Sequence, residues 1–99
     1  MATRSGGSDR VSTKAKLAAE LTVLGALLAE TRERLGVRQA VVAQRLGLPA
    51  SWLSKIESGT RRIDPVELVR IAEAMGADPG EIIRELQRRL DAQRPGESD

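Results

Sequence analysis

The chain has 99 residues, with 16 Lys and Arg against 14 Asp and Glu for a formal net charge of +2, and its single aromatic residue is Trp52. That length gives one domain with a modest core. No cysteine and no histidine are present, which excludes a disulfide scaffold, a cysteine-based zinc site and thiol catalysis, and removes the commonest general base and metal ligand.

An enzyme would therefore have to work with carboxylates, Lys and Ser alone. No two acids suggest a pocket, so neither catalysis nor a cofactor is expected. Even the longest uncharged runs, such as Leu21 to Ala29, are far short of the roughly 20 residues a bilayer span needs. Residues 1–9 lack the apolar core of a signal peptide, so the expected compartment is the cytoplasm, with no membrane partner.

Charge is distributed unevenly. Residues 32–62 carry seven positives against two negatives, a net +5, and residues 63–99 carry five against nine, a net −4. A basic middle beside an acidic end suggests a face for a polyanion.

In chain order, residues 1–12 are polar, Gly/Ser-rich and aperiodic, and read as a disordered arm whose Arg4 and Arg10, with Lys14, are candidates to follow a groove or phosphates. The first helix is expected over about 14–35, and Thr22 and Gly25 mark alternative places for it to begin or break. Further helices follow at about 38–46, 50–58, 65–75 and 79–92, with a frayed tail over 93–99, so the globular domain is 13–92.

The boundaries come from capping chemistry. Gly36, Gly47, Gly59 and Gly76 each follow an apolar-periodic stretch, where a residue without a Cβ suits a left-handed helix end. Asp64-Pro65-Val66-Glu67 and Asp78-Pro79-Gly80-Glu81 put Asp at a cap, Pro in the first turn and Glu three residues on. No stretch alternates like a strand, so the fold class is all-α with five helices.

The expected core comprises Leu24, Leu27, Leu28 and Leu35 from the first helix, and Val42, Leu46, Leu53 and Ile56 from the next two. Val66, Leu68, Val69, Ile71, Ala72, Ile82, Ile83 and Leu86 complete it. Leu17, Leu21, Leu24 and Leu28 form a short seam, and Ile82, Ile83, Leu86 and Leu90 form another. Either can be ordinary packing or a dimer contact. Trp52 is expected at the edge of the core beside the fourth helix.

The informative stretch is Gln39 to Gly59, QAVVAQRLGLPASWLSKIESG. A short helix ends at Gly47 and another begins near Pro49. Ala43 is small where the two cross. The outward face of the second is Ala50, Ser51, Ser54, Lys55 and Ser58, short, polar or basic, so it fits a major groove.

From about Leu24 to Ile83, these residues resemble the Cro/phage-repressor, or XRE-like, helix-turn-helix family. The match rests on Gln39, Ala43, Gly47, Leu53 and Ile56 at their spacing, the run Leu53 to Gly59, Arg61-Arg62, and the Asp64-to-Leu68 start and Ile71-to-Gly76 end of the fourth helix. It covers roughly 60 of the 99 residues.

The resemblance implies a compact five-helix bundle of lambda-repressor-like type, with the helix-turn-helix at helices 2 and 3. It implies a homodimeric regulator of transcription, a repressor bound to double-stranded DNA at a two-fold operator. Ala50, Ser51 and Lys55 fall where base edges are reached. Gln39, Ser54, Ser58, Arg61 and Arg62 fall where the DNA backbone is held, and Arg32 with Glu57 matches a structural salt bridge. Arg38 and Pro49 depart from the hydroxyl caps usual at those positions. The alternative is a protein-interaction module, a helix-turn-helix antitoxin or regulatory subunit that binds a partner protein through its acidic helices 4 and 5 and its extended first helix.

Overall fold

The computed structural model describes the backbone of residues 3–93 and the side chains of residues 13–93. Five helices follow one another: α1 (Thr3–Arg34), α2 (Gln39–Leu46), α3 (Ala50–Glu57), α4 (Pro65–Met75) and α5 (Pro79–Ala92). Residues 1–2 of the expected arm, and all but Gln93 of the expected tail, lie outside the described residues. The backbone is helical from Thr3, upstream of the start expected at 14. Apolar period marks where a helix is packed. An existing helix extends past that point at the cost of one residue for each hydrogen bond gained.

The capping chemistry acts as its residues dictate. Gly36, Gly47, Gly59 and Gly76 all have φ between 72 and 84°. At the start of α4, Asp64 accepts from the Glu67 N–H at 2.8 Å and the Glu67 carboxylate accepts from the Asp64 N–H at 3.0 Å, a closed capping box. The start of α5 is one-sided: Asp78 accepts from Gly80 at 3.4 Å, and Pro79 occupies the first turn.

Helix α3 lies between α1 and α2, α2 also packs on α4, and α5 closes the bundle against α1 and α4. The core is Leu27 and Leu28 of α1, Val42 of α2, Leu53 and Ile56 of α3, Leu68, Ile71, Ala72 and Met75 of α4, and Ile82 of α5. Leu24, Leu46, Trp52, Ile63 and Leu86 are half-buried against it. A fully buried Leu or Ile contributes about 1.5–3 kcal/mol, so the five most enclosed (Leu28, Leu53, Ile56, Ile71 and Val42) tie α1 to α4 into one unit.

Four expected core residues are exposed instead: Leu35, Val66, Val69 and Ile83, with Val66 at 66%. Leu35 lies beyond the last turn of α1. The buried stripe of α4 runs through Leu68, Ile71, Ala72 and Met75, which turns Val66 and Val69 outward.

Gly25 does not break α1. A Cβ built there would lie 2.5 Å from the carbonyl oxygens of both Ile56 and Glu57, so the glycine is where α1 and the end of α3 meet backbone to backbone. Gly59 makes the neighbouring contact, and a Cβ on it would lie 2.9 Å from the Thr22 Cα.

Candidate nucleic-acid interface

The pair α2–α3 is joined by three residues, Gly47 to Pro49. Gly47 takes φ 72° and ψ 30°, and the Leu48 N–H donates back to the Ala43 carbonyl at 2.9 Å. The left-handed residue reverses the chain within one turn. Val42, Ala43, Leu53 and Ile56, all buried, fix the crossing. With that side of α3 anchored, Ala50, Ser51, Lys55 and Ser58 stand exposed on the other, and Ser54 is half-buried beside them.

No side chain caps α2 or α3 at its first turn. Arg38 and Pro49 occupy the two cap positions in extended conformation, ψ 152° and 150°, so both helices begin without a hydroxyl. Their first N–H groups have no side-chain partner, and a helix start favours an anion.

Behind α3 lies a buried polar cluster. Arg32 donates from Nε and Nη2 to the two carboxylate oxygens of Glu57, at 2.7 and 3.0 Å, and from Nη1 to the Val37 carbonyl at 2.9 Å. Side-chain exposure is 11% for Arg32 and 7% for Glu57. Hydrogen bonding to Glu57, together with its charge, raises the Arg32 guanidinium further above its ordinary range, against the pull of desolvation. Gln39 joins the cluster, its amide donating to Glu57 at 2.7 Å. The start of α2 is therefore bonded to the end of α3.

The segment after α3 holds a second cluster. The Ser58 and Thr60 hydroxyls lie 3.0 Å from each other and 3.1 Å from the Lys55 carbonyl, which accepts from at least one of them. The Arg61 guanidinium lies over the Trp52 ring, 5.1 Å from its centre, and donates to both Glu67 oxygens at 3.3 Å and to the Arg62 carbonyl at 2.7 Å. That hydrogen bond and the Asp64 N–H hold the Glu67 carboxyl below the usual carboxylate range.

Cation pairing differs between the α2–α3 motif and helices α4 and α5. Arg70, Arg84, Arg88 and Arg89, the arginines of α4 and α5, are each paired with a carboxylate. Arg38, Lys55 and Arg62, at the start of α2, in the last turn of α3 and in the segment after it, are exposed and form no ion pair among the described residues.

The residues expected from sequence thus divide in two. Ala50, Ser51, Ser54, Lys55, Ser58 and Arg62 share the outward side of the motif, while Arg32, Glu57, Gln39 and Arg61 are drawn into the clusters behind and beside it. Sequence reasoning missed Arg38 as a free cation, Thr60 as a cap of α3, and Glu67 as the partner of Arg61. Of these only the last carried a signal, since its position three residues after Asp64 already marked it as a capping acid.

A family model described as a helix-turn-helix domain matches residues 23–86. Among solved structures, an XRE-family like protein from Pseudomonas syringae pv. tomato is 35% identical, covers 79% of this chain and 95% of its own, and superposes with a TM-score of 0.71. The restriction-modification controller protein C.AhdI from Aeromonas hydrophila is 31% identical over 66% of this chain and 94% of its own, with a TM-score of 0.62. The clp gene regulator ClgR from C. glutamicum shares the fold, at 24% identity, 71% and 91% coverage and a TM-score of 0.66. Among curated proteins no relative is found. No described helix is long and apolar enough to cross a membrane. With five helices, the two-helix motif and these relatives in agreement, the chain belongs to the XRE-like family of helix-turn-helix, DNA-binding regulators of transcription.

Proposed function

We propose that the protein is a sequence-specific repressor that acts from the cytoplasm by occupying a two-fold operator as a homodimer, with α3 of each copy in the major groove. Lys55 reads a base edge there, its ammonium donating to the guanine O6 and N7 acceptors. Ala50 and Ser51 lie against neighbouring base edges. Ser54, Ser58 and Arg62 hold phosphates, helped by the uncapped first turns of α2 and α3, and Gln39 does so through the amide hydrogen that it does not give to Glu57.

The observation that carries this reading is that Arg38, Arg45, Lys55 and Arg62, in and beside α2 and α3, are exposed and form no ion pair among the described residues, while the arginines of α4 and α5 are neutralised. The restriction-modification controller among the relatives supports a regulatory role. Exposed Leu17 on α1 and Ile83 on α5 support pairing of two copies through the terminal helices. The exposed apolar residues of α1 and α4 also favour a second reading, a regulator with a protein partner such as an antitoxin has.

Selection from a random DNA pool tests the proposal. The enriched sites are expected to be two-fold symmetric, with half-site centres about 34–36 Å apart, and bound roughly a thousandfold or more above random DNA. Lys55→Ala should erode that preference by about 1–3 kcal/mol at one base pair per half-site. Enrichment of no sequence would turn the search to the protein partner.

A further inference from the structure

We propose that Arg61 is a positioning residue of the DNA-binding surface, which fixes the segment between α3 and α4 and so aims Arg62, and does not itself hold a phosphate. The inference deepens the DNA-binding reading above and rests on it.

Arg61 joins three parts of the fold. Its guanidinium covers the ring of Trp52, in the first turn of α3. Two parallel hydrogen bonds of 3.3 Å engage both oxygens of Glu67, in the first turn of α4. A third, of 2.7 Å, reaches the Arg62 carbonyl. Glu67 is itself immobilised, because its Oε1 also accepts from the Asp64 N–H. A planar guanidinium suits this arrangement, donating along its edge to a carboxylate while its face rests on an indole.

Two adjacent arginines therefore have opposite fates. Arg61 is half-buried and most of its donor capacity faces inward, while Arg62 is exposed and forms no ion pair among the described residues. Three of the five guanidinium N–H groups of Arg61 are engaged by Glu67 and the Arg62 carbonyl, and swinging out to a phosphate would give up those bonds and the contact with Trp52. Arg62 needs no such rearrangement. The inward bond to its own carbonyl restrains the backbone from which its side chain projects.

The experiment is fluorescence anisotropy with a mixed-sequence DNA duplex across a salt series, joined to Trp52 emission of the free protein, with folding of each variant checked by circular dichroism. Arg62→Ala should lower the log–log salt slope by about 0.9, the contribution of one phosphate, and leave Trp52 emission unchanged. Arg61→Ala should shift Trp52 emission and weaken binding by up to about fivefold, the scale of one exposed ion pair, and should add little further loss in the Arg62→Ala background, because it acts through Arg62.

Lysine at 61 should fail to rescue, since an ammonium replaces neither the bidentate pair nor the stacking, whereas a phosphate contact tolerates it. Glu67→Gln keeps a residue suited to the capping box but loses the ion pair. A positioning role predicts weaker binding for it, and a phosphate role predicts equal or tighter binding as Arg61 is freed.

A slope loss of about 0.9 from Arg61→Ala that adds in full to that of Arg62→Ala, Arg61→Lys restoring the affinity, or tighter binding by Glu67→Gln would overturn the proposal. Absence of DNA binding by the unaltered protein would instead remove the reading on which it rests. Trp52 emission would then decide whether Arg61 organises the segment, and no change in Arg61→Ala would overturn that as well.

Discussion

Glu57→Ala is expected to lower the folding stability by about 3 kcal/mol, the scale measured when one partner of a buried ion pair is removed. The reason is the set of donors it would strand. Glu57 accepts two hydrogen bonds from Arg32 and one from Gln39, all between 2.7 and 3.0 Å. Arg32 would keep the Val37 carbonyl and the more distant, exposed Glu33 carboxylate at 3.7 Å, which offset only part of the loss.

A buried guanidinium without its counter-charge costs far more than the intact pair contributes. The double variant Arg32→Leu, Glu57→Leu should therefore recover a large part of the stability lost by Glu57→Ala alone. Urea titration checks both expectations, through a lowered midpoint at unchanged slope for the single variant. A loss under about 1 kcal/mol would mean that the pair is as weak as a solvated one.

Gly25→Ala is the second large effect, and its sign runs against helix propensity. Alanine in a helix interior is favoured over glycine by about 1 kcal/mol. At this position, however, the new Cβ would lie 2.5 Å from two backbone oxygens at the end of α3. Neither oxygen is the end of a flexible side chain, so α1 and α3 must move apart. Contact at 2.5 Å with two backbone oxygens puts the cost at the upper end of the about 1–3 kcal/mol of such overpacking, so a net loss of about 2 kcal/mol is expected after the propensity gain. Gly80→Ala serves as the control, since nothing lies closer than 3.5 Å to a Cβ there. A thermal melt should show Gly25→Ala well below the unaltered protein and Gly80→Ala within about 0.5 kcal/mol of it. Equal behaviour of the two would contradict the close approach of α1 to α3.

What was legible in the sequence is what local chemistry determines. Glycines that must take positive φ, and Asp-Pro-x-Glu helix starts, declare themselves without knowledge of any neighbour, and the structure has helix ends at each. The motif from Gln39 to Gly59 was legible because small, glycine and apolar positions recur at fixed spacing. Where partners lie apart along the chain the residues alone were silent, and Arg32 with Glu57 was named only through the family resemblance. Arg61 and Glu67 read separately as a basic loop and a capping acid, and only the fold pairs them and lays Arg61 over Trp52.

Glycine is ambiguous in the same way. A helix break and a close backbone approach call for the same residue, so Gly25 read as a possible break until α3 was seen against it. Periodicity gave the centre of each buried stripe but not its width. The neighbours set that width, leaving Val66, Val69 and Ile83 outside.

The most direct test of the central claim is the salt dependence of DNA binding by the unaltered protein, followed by anisotropy of a labelled duplex. The free cations around α2 and α3 predict that affinity falls linearly in log–log form, with a slope implying on the order of four or more phosphate contacts, and that binding persists near physiological salt. No binding under those conditions, or affinity independent of salt, would contradict the assignment of this side of the helix-turn-helix as a DNA-binding surface.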